Sequence, residues 1–176
     1  MLNFLSKRTL RIWLTSFVLG VIPGVYLLGK DIIYVLIPAH LTVVIFQNLL
    51  FFLFIWQVLS YKPIYILTAV RNKSDYVDKE LCLLVCIETV LFFIGYYGAY
   101  FLGGYPAFIY GSVVIGTILL LVRFFIILFS GFLLVGLFQH FHHAYILIIA
   151  ILIANIMYHY LIEYQLLLPL YTPYHY

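Results

Sequence analysis

Charge is nearly absent from the second half of this 176-residue chain. Residues 89–122 and 124–162 contain no Asp, Glu, Lys or Arg, and one ionised side chain, Arg123, stands between the two stretches. Each stretch is longer than the ~20 apolar residues that cross a bilayer. Composition agrees: hydrophobic residues make up 66% of the chain and charged residues 9%, where a soluble globular chain has about 45–50% and about 25%. A soluble domain of this size has too little interior to hide so much apolar surface. Nucleic-acid binding, a soluble enzyme and a disordered linker are therefore excluded. The expected fold is all-α: a polytopic integral membrane helix bundle of about five transmembrane helices, one transmembrane domain over residues 1–176.

Turn signals and charges set the expected spans at residues 12–28, 38–60, 81–102, 107–138 and 144–162. The fourth block exceeds one bilayer thickness, and residues 107–112 are expected to lie outside the membrane core. Residues 163–176, with Pro169, Pro173 and several tyrosines, read as a tail at the membrane interface. Gly29, Lys30 and Asp31 read as a short polar turn. Gly20 and Gly24 form a small-x-x-x-small motif for close helix contact, with Pro23 inside it as a kink signal. No small-x-small cleavage site follows the first apolar run, so a retained span with a basic flank is expected.

Orientation follows from the distribution of Lys and Arg. Lys7, Arg8 and Arg11 flank the first span, and Lys62, Arg71, Lys73 and Lys79 lie in residues 62–80. Both groups fall on one side if the first span leads out and the second returns. The expectation is a multi-pass cell-membrane protein with its N-terminus in the cytosol, its C-terminus outside, and residues 62–80 as a cytosolic loop or coupling helix between spans two and three.

Arg123 carries the sharpest chemical signal. An arginine in mid-span costs at least ~2.5–3.5 kcal/mol on insertion scales, so it must face protein, water or a partner. Glu88, inside the third span, is its expected partner. Such an intramembrane polar pair either fixes helix packing or marks a translocation route. His140, His142 and His143 form an H-x-H-H cluster that reads as a metal-ligand group or as interfacial polar residues, and no metal is expected there. His159 and Glu163, four apart, share a helix face and read as a local hydrogen bond. Cys82 and Cys86 are one turn apart, a poor disulfide geometry, and read as small hydrophobes. The sequence has no phosphate-loop, nucleophile-elbow, zinc-protease or C-x-x-C motif. No catalytic residue, cofactor or enzymatic activity is expected.

The segment around residues 62–102 resembles the first cytosolic loop and following span of small type-2 permeases in bacterial ATP-binding-cassette exporters. The matching residues are Arg71, Lys73, Tyr76 and Lys79, followed by a span at Leu81. The resemblance implies a permease subunit that exports a peptide, lipid or drug. It also implies an ATP-binding-cassette ATPase docked on those four residues and a second permease subunit, of the same or another chain. The other function classes are a non-transporting immunity or assembly protein that binds a membrane-active peptide, and a membrane redox subunit that uses the histidines.

Overall fold

The computed structural model describes residues 7–26, 30–40, 42–69, 74–104, 106–140 and 144–172. These residues form helices and connections. Helix α1 is Lys7–Tyr26 and α2 is the short Ile32–Leu36. A π-helical segment, Thr42–Gln47, runs into α3, Asn48–Ala69. Helices α4, Ser74–Leu102, and α5, Val113–His140, follow. The last span begins as α6, Ala144–Met157, continues as a second π-helical segment, Tyr158–Leu167, and ends in the turn α7, Leu168–Tyr171. Among the described residues, five helices are long and apolar enough to cross a membrane.

Large apolar side chains are exposed on every one of these five, among them Leu14, Phe52, Ile94, Phe125 and Ile149. Water does not tolerate so much apolar surface on a folded chain, and hydrocarbon does. The interior has two apolar layers. One joins α3, α4 and α5 through Phe51, Phe54, Val85, Phe92 and Ile127. The other gathers α2, the end of α4 and the start of α5 around Tyr96, Tyr100 and Leu119.

The glycine motif of α1 is used within the chain. Gly20 lies against the Phe92 carbonyl, and Gly24 against Tyr96 and Ala99, so α1 and α4 run parallel in backbone contact. A Cβ on Gly24 would fall 2.9 Å from the Tyr96 carbonyl oxygen, which leaves room for hydrogen alone.

Three expectations change. The apolar residues 63–70, expected from the sequence as a short helix at the membrane surface, continue α3 as far as Ala69, with Pro63 exposed inside it. The last span extends through Tyr171 and does not stop at residue 162. Asp31 is fully buried and caps α2, accepting from the Ile33 amide at 2.8 Å and the Tyr34 amide at 3.3 Å. Its other oxygen accepts from the Ile109 amide at 2.6 Å, the Tyr110 amide at 3.0 Å and the Tyr171 hydroxyl at 2.6 Å. One carboxylate thus ties α2, the connection before α5 and the end of the last span into one knot. The fourth expected span holds, with α5 beginning at Val113 and residues 107–112 outside it.

Candidate functional site

A chain of polar side chains crosses the interior beside that knot. Gln47 ends the first π segment, Arg123 lies on α5, and His159 and Glu163 lie on the second π segment. Arg123 is fully buried. Its Nε donates to Gln47 Oε1 at 2.7 Å, its Nη2 donates to the same oxygen, and its Nη1 meets Glu163 Oε2 at 3.3 Å. The Tyr158 ring lies 5.9 Å from the guanidinium carbon. Glu163 Oε2 also accepts from His159 Nδ1 at 2.9 Å. His159 Nε2 in turn lies 2.9 Å from Nδ1 of His40.

Local backbone geometry sets this alignment. A π-helix has i→i+5 hydrogen bonds and a wider turn than an α-helix, and it recurs at functional sites. The Leu168 amide bonds to the Glu163 carbonyl in that pattern. On this helix Asn155, His159 and Glu163 point inward, while Tyr160, Leu161, Ile162 and Tyr164 point out. At the other end of the chain His40 adopts φ +51°. Left-handed backbone is uncommon for a residue with a side chain, although histidine is enriched there. The Tyr160 and Tyr164 rings lie 5.0 and 5.2 Å from the His40 ring.

The guanidinium of Arg123 therefore goes to Glu163 and Gln47, not to Glu88. Glu88 is fully buried, but neither of its carboxylate oxygens has a hydrogen-bond partner among the described residues, and the Gln57 amide is the polar group that faces it. The expectation failed because residue 163 was placed in a tail, which left Glu88 as the one acid deep in a span. The His159–Glu163 hydrogen bond is present, but as the middle of a longer chain. Gln47, Asn48 and Gln57 are the polar residues of the second span and are expected from the sequence to face other helices; Gln47 and Gln57 are buried and Asn48 meets Asn155. His40 carried no functional reading. Asn155 reaches Asn48 at 3.4 Å, one turn further along the same inward stripe.

The remaining expected residues fall as follows. Tyr76 is 70% exposed and Lys79 is exposed, both in the first two turns of α4. Arg71 and Lys73 lie outside the described residues, as do His142 and His143, and the side chain of His140 is likewise not described. Cys82 and Cys86 are free and half-buried.

A cavity of about 600 Å³ borders the chain on the side of Lys30, lined by Asp31, Pro38, Tyr110, Tyr164 and Tyr171 among others. Fold and interior together define an α-helical polytopic membrane protein. No protein-family profile, curated protein or solved structure matches the sequence.

Proposed function

We propose that this chain is the membrane-spanning subunit of an ATP-driven exporter of a peptide, lipid or drug. It sits in the cell membrane with its N-terminus in the cytosol, and a separate ATP-binding-cassette ATPase supplies hydrolysis. The observation that carries the reading is the helical hairpin at the N-terminal face. Helix α3 runs to Ala69 and α4 starts at Ser74, so the second and third spans are joined by residues 70–73 alone. Tyr76 and Lys79 are exposed in the first two turns of α4, next to this connection. These are two of the four residues through which the resemblance implies docking. The sequence has no phosphate loop, so transport work requires a partner, and this hairpin is the surface offered to it.

The test is native purification from the source membrane with and without Arg71, Lys73 and Tyr76 replaced together by alanine. A subunit bearing a phosphate-loop motif should co-purify with the unaltered chain, and the triple variant should recover at least several-fold less of it. Absence of such a subunit, or equal recovery by a folded triple variant, would overturn the reading.

A further inference from the structure

The chain of side chains from His40 to Arg123 has two unlike ends. His40 sits at the rim of the bundle, in the connection between α2 and the first π segment, whereas His159, Glu163 and Arg123 are buried. Pro38 and Tyr164, which flank His40, belong to the wall of the 600 Å³ cavity. At the inner end stands a guanidinium, a group that does not give up its proton in proteins. Between the two ends every step has hydrogen-bond geometry: 2.9 Å from His40 Nδ1 to His159 Nε2, and 2.9 Å from His159 Nδ1 to Glu163 Oε2.

We propose that His40, His159 and Glu163 form a one-ended proton inlet, which opens at the half-exposed His40 ring and stops at the Arg123 guanidinium. This goes beyond the exporter reading and does not depend on it.

The donors and acceptors along the path permit one consistent transfer. In the starting state both imidazoles are neutral and protonated at Nδ1. His40 donates to His159 Nε2, and His159 donates to Glu163. A hydronium ion delivers a proton to the bare His40 Nε2. The His40 Nδ1 proton passes to His159 Nε2, and the His159 Nδ1 proton passes to Glu163 Oε2. The hydronium ion that gave the proton is left as water, Glu163 is a neutral acid, and both imidazoles are neutral again with the proton on Nε2. Their hydrogen bonds now point the other way, from His159 Nε2 to His40 Nδ1 and from the Glu163 hydroxyl to His159 Nδ1. Arg123 takes no part in transfer, but it loses its counter-charge and keeps the Gln47 oxygen.

Other groups around this path are accounted for. Tyr158, Tyr160 and Tyr164 lie on the same element. Gln47 and Arg123 face it from the first π segment and α5. Asp31, across the cavity, is saturated by its own five donors. The left-handed backbone at His40 sets its ring between Tyr160 and Tyr164, and strain of that kind gathers at working sites.

The inlet is testable on the purified full-length chain in lipid vesicles, with no other subunit present. Three glutamates occur in the sequence, Glu80, Glu88 and Glu163, so carboxyl ¹³C resonances separate them, with Glu88→Gln and Glu163→Gln as assignments. Imidazole ¹⁵N shifts report the tautomers of His40 and His159, with the other four histidines replaced by glutamine. Protonation of Glu163 should coincide with the switch of His40 and His159 from Nδ1–H to Nε2–H. In Glu163→Gln both histidines should lose that concerted switch. If that variant does not fold, the coincidence of the ¹³C and ¹⁵N steps in the unaltered chain decides alone. A Glu163 carboxyl that never protonates, or histidines that titrate independently of it, would overturn the proposal.

Discussion

Neutralising Glu163 should destabilise the bundle more than neutralising Arg123, and the two losses should not add. Both side chains are buried, at 0% and 3% exposure, and meet at 3.3 Å. Removing one partner of a buried pair strands the other, at about 3–5 kcal/mol. Glu163→Gln keeps an oxygen for Arg123 and His159, which places it at the low end, about 3 kcal/mol. The stranded arginine has no relief, because it cannot deprotonate. Arg123→Gln strands a carboxylate instead, which relieves itself by taking up a proton, so about 1–2 kcal/mol is expected. The double variant contains no buried charge at this point and should lose about as little as Arg123→Gln alone, leaving a coupling of about 3 kcal/mol. For a chain of this size about 1 kcal/mol corresponds to roughly 2–4 °C, so Glu163→Gln should melt about 6–12 °C lower in detergent. The parallel cycle of Arg123→Gln with Glu88→Gln should be additive within about 0.5 kcal/mol. Additive losses at 123 and 163, or coupling between 123 and 88, would refute the pairing.

Gly20→Leu should separate α1 from α4, because its side chain would be driven into the Phe92 backbone, which cannot move aside; overpacking of this kind costs about 1–3 kcal/mol, and a thermal melt unchanged from the parent would refute the contact. His40 lies outside the apolar spans, and burial first, then the neighbouring His159, lowers its pKa from 6.5. The native state therefore binds fewer protons there than the unfolded chain, so its contribution to stability is intact above 6.5 and declines as pH falls below it. His40→Gln should flatten that part of a melting-temperature profile, and an unchanged slope would count against it.

The spans were legible because hydrocarbon sets a simple requirement, a run of about 20 apolar residues, and residues 89–122 meet it plainly. The Gly20–Gly24 spacing was legible as a contact surface, though not its partner, since nothing local encodes that α4 lies opposite. The polar chain was largely hidden. An α-helical period of 3.6 residues does not anticipate ten residues of π-helix at Tyr158–Leu167, and the charge of Glu163, with Pro169 and Pro173 beyond it, set the expected end of the last span at residue 162. Asp31 was taken for a turn residue because α2, at five residues, is too short to show any periodicity. Its five acceptor contacts come from residues as far away as Tyr171, and no spacing in the sequence announces them.

The last span has 11% of its apolar window buried, the least of the five. Lipid covers the rest as well as protein would, and a bilayer supplies no hydrophobic drive to press one helix on another. This span is therefore held along one stripe, by Asn155 to Asn48, His159 to His40, Glu163 to Arg123 and Tyr171 to Asp31. Interhelical polar contacts in membranes average about 0.6 kcal/mol each, up to about 1.7. Of the five spans this one has the least protein to leave, and a partial opening in which it departs sideways into the lipid keeps four helices standing. That opening bares Arg123 to hydrocarbon, so the unpaired arginine itself sets how rarely the helix leaves.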